Sequence, residues 1–217
     1  MLALTTGMFF RYFGDVTWMD IGFNEYEFEH KYTWVESLGI NWAVGLDALS
    51  FPMVWLTTFL LPVTIIATWN EKHGATYFPL LLMMGGALIG VFVSLDLFMF
   101  YVFWELTLIP MFFLILKWGG KDRKYASQKF FIYTFTASVV MLLGLITLYF
   151  FQDPVNPLQY AGSMTGRTFD IPTITQHALI ENSNGNWYLG ANIQKILFAM
   201  LMLGFLVKLP AVPFHTW

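Results

Sequence analysis

The segment LFMFYVFWELTLIPMFFLIL, residues 97–116, decides the fold, because it is apolar and long enough to cross a membrane as one helix. A helix needs roughly 20 apolar residues to span a hydrocarbon core of about 30 Å. Three further stretches reach this length, and a fifth apolar run continues through Lys208: residues 49–68, 77–95, 130–151 and 193–207. The sequence therefore predicts an all-α fold, a polytopic transmembrane helical bundle.

The composition agrees with this prediction. Of the 217 residues, 57% are hydrophobic and 12% are charged, about half the charged fraction of an ordinary soluble domain. A soluble core of such helices would need amphipathic helices to cover it, and the sequence shows none. We therefore expect an integral, multi-pass membrane protein that contacts the lipid bilayer and has no nucleic-acid partner.

Residues that usually hold cofactors are missing or scattered. The chain has no cysteine, which excludes disulfides, thiolate zinc sites and cysteine-ligated iron–sulfur clusters. Its four histidines, His30, His73, His177 and His215, have no metal-ligand spacing, and no glycine-rich phosphate loop follows a strand. We expect the chain to hold no metal and no cofactor of its own.

Charge asymmetry predicts the orientation of the bundle. The turn KWGGKDRKYASQK, residues 117–129, carries five basic residues against one acid, and the loop two crossings earlier carries Lys72. The segments on the opposite side, residues 15–47 and 152–192, hold seven and three carboxylates and one basic residue each, histidine aside. Because loops rich in lysine and arginine stay in the cytoplasm, the turn is predicted to be cytoplasmic.

The spans divide the chain into four parts. Residues 1–48 are predicted to be the end of a transmembrane helix plus an outer-face loop, and residues 49–151 four transmembrane helices. Residues 152–192 are predicted to be an irregular outer-face loop, and residues 193–217 a broken, truncated transmembrane helix. Residues 1–13 are too few to span and lack the features of a signal peptide. We therefore expect a fragment of a longer protein.

Two ionisable residues within the apolar segments are the candidate functional groups. Counting from Leu97 places Glu105 roughly 12 Å into the membrane, and counting from Ile193 places Lys208 about 22 Å deep. Charges are costly in hydrocarbon, so such residues indicate a path for ions or protons. The alternatives are a protonated glutamate bonded to a neighbouring helix and a lysine that snorkels to the interface. The difference in depth would have to be closed by helix tilt, a later helix start or water.

Other polar and proline residues are expected at the ends of spans. Pro210 and Pro213 follow the lysine directly and should kink or open the helix, because proline lacks a backbone donor. The alternative is that the helix simply ends at Leu209. Asp47 and Asp96 stand at span edges and are predicted to be solvated or to cap helices.

Three blocks of the sequence resemble a known family. WAVGLDALSFPMVWLTTFL (residues 42–60), FWELTLIPMFFLILKWGGKDRKYASQKFFIYT (residues 103–134) and VKLPAVPFHTW (residues 207–217) are similar to consecutive blocks of the antiporter-like membrane subunits of respiratory complex I. The glutamate block followed by WGG and KFFIYT resembles the subunit M branch, called chain 4 in mitochondria, which has counterparts in cyanobacteria and chloroplasts.

The resemblance implies a fold and a site. Members of the family have about 14 transmembrane helices around two inverted five-helix repeats, each with a broken helix. It implies that Glu105 and Lys208 stand at the positions of an intramembrane ion pair beside a hydrated path. His215, at the histidine of the HTW block, is implied to lie in or near the break and to belong to that path.

The resemblance also implies a function. It predicts a proton-translocating subunit of NADH:quinone oxidoreductase, acting on protons and water alone, in a cell inner membrane or another energy-transducing membrane. NADH or another reductant, flavin, iron–sulfur clusters and quinone would belong to partner subunits, and other membrane subunits would be its partners. The alternatives are a subunit of a multisubunit cation/proton antiporter, of an archaeal dehydrogenase or of a membrane-bound hydrogenase. An assembly-only scaffold is a further alternative, but it would not require both buried charges.

Overall fold

The structure, a computed structural model, describes residues 3, 5–7, 26–70, 75–152, 167–176 and 191–217. In these residues two antiparallel strands, β1 and β2, are followed by the six α-helices named here α1 to α6. Their bounds are β1 Glu27–Val35, β2 Ile40–Leu46, α1 Ser50–Ala67, α2 Tyr77–Val93, α3 Leu97–Leu106, α4 Leu108–Trp118, α5 Arg123–Phe150 and α6 Ala191–Lys208. The chain is thus a helical bundle with a β-hairpin at one end, called here the hairpin end. The opposite end, which carries the connection between α4 and α5 at residues 119–122, is the basic-loop end.

The helices agree with the predicted spans. Helix α1, the combined α3 and α4, and α5 are long and apolar enough to cross a membrane, with 18, 22 and 28 residues. Helix α2 has 17 residues, one fewer than that length. Helix α6 ends at Lys208, and a turn at Leu209 and Pro210 follows it. The helix therefore ends within one residue of Leu209, and the described residues 209–217 contain no further helix, so the broken helix stays a prediction.

The segment predicted as an outer-face loop contains the β-hairpin. A one-turn 3₁₀ helix, Glu36–Leu38, joins the strands. Gly39 closes it in the left-handed conformation, with φ 63°, and donates its N–H to the Glu36 carbonyl. That conformation is favourable for glycine. The charged residues of EFEHKYTWV conceal a strand of which eight of nine residues are exposed, so a hydrophobicity pattern alone does not reveal it.

Helices α3, α5 and α6 form the core that positions the candidate site. Tyr101 of α3 packs with Met141 and Leu145 of α5, and Leu201 of α6 covers this cluster. Gly204 of α6 lies so close to α5 that an added Cβ would be 2.9 Å from the Cβ of Met141. Small residues allow helices to approach closely in this way inside membranes.

A second close approach joins α2 to α3 and supplies a test of the packing. A Cβ added at Gly90 would overlap the ring of Phe103, whereas one added at Gly86 would meet nothing within 4 Å. We expect Gly90→Ala to destabilise the protein by about 1–3 kcal/mol, the usual cost of overpacking. Gly86→Ala is the matched control and should be neutral. The thermal unfolding midpoint of the purified protein in detergent measures both, and equal midpoints for the two variants would contradict this packing.

Candidate functional site

The candidate site lies at the one-residue interruption between α3 and α4, where the backbone of Thr107 keeps helical φ and ψ angles within a single membrane span. Thr107 separates α3 from α4, and Pro110 stands in the first turn of α4. Because proline has no N–H, the carbonyl of Leu106, four residues before Pro110, lacks its helical donor. The Thr107 hydroxyl donates to the carbonyl of Trp104 at 2.8 Å. Polar backbone is thus available at membrane depth, which occurs in proteins where it is buried or lines a cavity.

Lys208 binds to this interruption. Its Nζ donates to the Trp104 carbonyl at 2.8 Å and to Thr107 Oγ1 at 2.8 Å. The same Nζ lies 3.7 Å from the centroid of the Trp104 ring, within cation–π range. The ammonium therefore points to a neighbouring helix inside the bundle and does not snorkel to an interface.

Glu105 is the residue next to this carbonyl, and one of its oxygens is unpaired. Its Oε1 is buried and has no hydrogen-bond partner among the residues that the structure describes. The Ser138 hydroxyl of α5 and the Lys208 ammonium both interact electrostatically with the carboxyl group. In the described parts of the chain, the only ion pair within 4.0 Å joins Lys31 and Asp170. Glu105 and Lys208 are thus neighbours that are not in direct contact.

The packing also accounts for the difference in depth that residue counting left open. Counting from the two helix starts places Phe205 four residues deeper than Glu105. In the structure its ring instead packs against Phe100 and Trp104, at centroid distances of 6.3 and 5.3 Å. Helix α6 therefore begins farther out than α3. The lysine side chain leans back toward the helix N-terminus and covers the remaining distance.

His215 lies away from this pair. It is exposed in the segment after α6, and no hydrogen bond or ion pair joins it to Glu105 or Lys208. Its neighbours hold that segment to the bundle: Lys129 donates to the Thr216 carbonyl at 2.5 Å, and the Trp217 indole donates to the Val207 carbonyl at 2.7 Å. His215 is therefore at the basic-loop end, one helix terminus away from the lysine.

The comparisons with known proteins decide the family. Residues 94–217, more than half of the chain, match the family described as NADH:quinone oxidoreductase/Mrp antiporter, TM. The chain belongs to this family. The predicted resemblance and the predicted integral membrane bundle are confirmed.

Two curated relatives of this antiporter-family chain are both named subunit M of an oxidoreductase or dehydrogenase. It is 40% identical over 193 residues to the F(420)H(2) dehydrogenase subunit M of Methanosarcina mazei, covering 88% of this chain and 36% of that one. It is 38% identical over 192 residues to the NADH-quinone oxidoreductase subunit M of Rhodobacter capsulatus, covering 88% and 35%. The chain spans about a third of the length of these curated relatives.

Solved structures show the same fold. A chain of respiratory complex I from Thermus thermophilus with bound NADH matches with a TM-score of 0.68 and 27% identity, over 88% of this chain and 35% of that one. A chain of the Mrp complex from Dietzia sp. matches with a TM-score of 0.62 and 20% identity, over all of this chain and 36% of the other. The second likeness concerns the fold alone.

Two residues of the candidate site, Thr107 and Ser138, were not predicted from the sequence. Thr107 lies two residues after Glu105 and three before Pro110, so a hydroxyl close to a proline within a span is the signal that points to it. Ser138 is fully buried in α5, where its hydroxyl also bonds the Phe135 carbonyl. That backbone bond is common for serine in helices and carries no signal of a site.

At the hairpin end, Asp96 joins the strands to the antiporter-family helices. It caps α3 by accepting from the N–H groups of Phe98 and Met99, and its other oxygen accepts from Asn41 of β2 at 3.0 Å. Asp96 is fully buried, so of the two predicted alternatives it caps and is not solvated. Burial raises the pKa of this carboxyl above its ordinary value. The three N–H groups that bond it lower the pKa in part, and the carboxylate of Asp170 raises it.

The Asp96 cap provides a second test of the fold. Asp96→Ala leaves three N–H groups without acceptors, and we expect a loss of about 2 kcal/mol or more in stability. Asp47→Ala is the matched control, because Asp47 caps α1 through Leu49 and Ser50 from a half-buried position, and it should cost about 1 kcal/mol. Thermal unfolding in detergent measures the difference. A smaller loss for Asp96→Ala than for Asp47→Ala would contradict the central role of Asp96.

The pKa of Asp96 also sets a pH dependence. Its raised value means that the folded chain binds this proton more tightly than the unfolded chain does. The stabilisation from Asp96 is therefore largest at low pH and falls as the pH rises above the ordinary value of 3.8. At neutral pH the remaining contribution comes from its hydrogen bonds.

Proposed function

We propose that the chain forms part of a proton-translocating membrane subunit of a quinone-reducing complex, with Glu105 and Lys208 as proton-transfer groups. The observation that carries the proposal is the half-buried ammonium of Lys208, which bonds the backbone carbonyl of Trp104, next to the Glu105 carboxyl group with its unpaired, buried oxygen. Intramembrane ionisable pairs are costly and indicate ion or proton pathways. A purely structural role would be served by apolar residues of similar volume at lower cost.

The proposed mechanism follows from the two charges. An ionised Glu105 near the ammonium favours the proton on Lys208, because opposite charges stabilise each other in a medium of low dielectric constant. When the two groups separate, the lysine holds its proton less firmly and can pass it along a hydrated path. His215 is the next titratable group that we place on this path, beyond the end of α6.

The energy scale is consistent with such coupling. Moving one charge against 100 mV costs about 2.3 kcal/mol. Coupling energies between distant sites are typically about 1–3 kcal/mol. We propose that quinone reduction in partner subunits supplies this coupling, and that NADH or another reductant, flavin and iron–sulfur clusters act there, in a cell inner membrane or another energy-transducing membrane.

A second candidate function is supported by the family itself. The family description includes the Mrp antiporter, and the Mrp complex of Dietzia has the same fold, so a subunit of a cation/proton antiporter also fits the pair. The names of the relatives from Methanosarcina and Rhodobacter favour a dehydrogenase over an antiporter. A different electron donor, as in the F(420)H(2) dehydrogenase, would leave the proton chemistry of this chain unchanged.

One experiment separates the two candidates. The complete protein is affinity-purified with its membrane complex and reconstituted into vesicles. We expect soluble redox subunits to copurify, and we expect a reductant plus quinone to acidify the vesicles. Proton movement driven by a sodium gradient, without copurifying redox subunits, would instead establish the antiporter.

A further inference from the structure

The ammonium of Lys208 has a defined set of partners, and none of them is Glu105. Two of its three N–H groups are used by the Trp104 carbonyl and by Thr107 Oγ1. Among the residues placed by the structure, Nζ makes no third hydrogen bond and lies over the Trp104 ring, and Oε1 of Glu105 has no hydrogen-bond partner. The Lys208 ammonium and an unused buried acceptor are therefore neighbours, separated by more than the 4.0 Å of an ion pair.

The Thr107 hydroxyl has a fixed place in this arrangement. It donates its hydrogen to the Trp104 carbonyl, which leaves its oxygen to accept from Lys208. Other threonines in the spans, such as Thr134 and Thr147, bond only the carbonyl four residues earlier or its neighbour in their own helix. Thr107 differs because it lies at the interruption between α3 and α4 and reaches a side chain of another helix.

We propose that Thr107 is a positioning residue, which together with the Trp104 carbonyl forms a docking position that holds the Lys208 ammonium out of contact with Glu105. The ammonium alternates between this docking position and the carboxylate. The inference rests on the proposed function, and it adds the place where the lysine resides when its pair with Glu105 is open. Docking itself changes no covalent bond, and the docked lysine is the open state from which, under the proposed function, Nζ passes its proton to the hydrated path.

The structure explains why this position binds a cation. It combines a carbonyl dipole, a hydroxyl oxygen and the face of an indole ring, all within 3.7 Å of Nζ. One hydrogen bond to a charged group changes an equilibrium by about tenfold or more. Loss of the Thr107 hydroxyl should therefore shift the lysine toward Glu105 and slow proton transfer.

The test uses the complete protein in its assembled complex, reconstituted into vesicles, with pumping measured per electron passed to quinone. Thr107→Val keeps the shape and removes the hydroxyl, and we expect pumping to fall by about tenfold. Thr107→Ser keeps the hydroxyl and should restore pumping to within about twofold of the wild type. Thr134→Val is the matched control, because Thr134 is equally buried but bonds only backbone carbonyls of its own helix, and it should pump normally.

A comparison of Thr107→Ser with Thr107→Ala covers the case in which the valine variant does not assemble, because these two differ by one oxygen atom. Equal pumping in the serine and alanine variants would overturn the docking position. Glu105→Gln, measured in parallel, separates a failure of the docking position from a failure of the proposed function. If Glu105→Gln reduces pumping strongly while Thr107→Val pumps normally, only this inference fails. If Glu105→Gln pumps normally, the proposed function fails.

Discussion

Glu105→Gln is expected to reduce proton pumping strongly in the complete protein while leaving the complex assembled. Glutamine has nearly the same shape as glutamate but cannot ionise, so it removes the charge that we propose to act on Lys208. The loss of a coupling of about 1–3 kcal/mol slows a step by roughly five- to 150-fold. We therefore expect pumping to fall to about a fifth or less, measured as vesicle acidification per electron passed to quinone.

The control for this variant is Glu36→Gln. Glu36 is exposed in the connection between the two strands, far from the interruption in the α3–α4 span. The Glu36→Gln complex should pump as the wild type does, and this result would show that a glutamate-to-glutamine change is tolerated elsewhere in the chain. Normal pumping by an assembled Glu105→Gln complex would remove this residue from the mechanism.

Lys208→Arg is expected to assemble and to lose pumping almost completely. Arginine keeps the positive charge and can donate to the Trp104 carbonyl and Thr107, but its guanidinium is not deprotonated in proteins. A group that cannot release a proton cannot relay one. The expected result is a normal amount of complex with pumping reduced by at least about tenfold, because the relay step is removed and the fixed charge is retained.

Lys208→Ala, together with a surface control, completes this test. Alanine removes both charge and proton, so pumping should be lost in this variant as well. Lys195→Ala should have no effect, because Lys195 is exposed on the same helix α6. Normal pumping by the Lys208→Arg complex would show that the lysine supplies only a fixed charge. Normal pumping by the Lys208→Ala complex would exclude any role for the lysine in pumping.

The two variants of Lys208 also bear on the scaffold alternative. A chain that serves only assembly needs neither a proton-releasing group nor a carboxylate beside it. If the chain were only a scaffold, Lys208→Ala could reduce assembly of the complex, because the Glu105 carboxylate would be left without its neighbouring charge. Lys208→Arg keeps that charge, so a scaffold with this substitution would leave both assembly and pumping unchanged. Loss of pumping in an assembled Lys208→Arg complex is therefore the result that separates a proton relay from a scaffold.

The sequence by itself determined the spans, the two buried charges and the family. Apolar runs of about 20 residues predict membrane helices without reference to any neighbour, because the hydrocarbon layer has a fixed thickness. Glu105 and Lys208 stand out for the same reason, since a charge within such a run is costly whatever surrounds it. The end of the helix at Lys208 agrees with the positions of Pro210 and Pro213, whose effect on a helix is local.

Only the tertiary structure decided which groups these charges meet. The offset between α3 and α6 depends on packing between helices, such as Phe205 against Trp104, and no property of either segment alone specifies it. That offset brings Lys208 to the Trp104 carbonyl and Thr107 and leaves Oε1 of Glu105 unpaired. Hydrogen-bond partners that are about 100 residues apart in the chain become neighbours only when the helices pack, which is why sequence periodicity could name the charges but not their contacts.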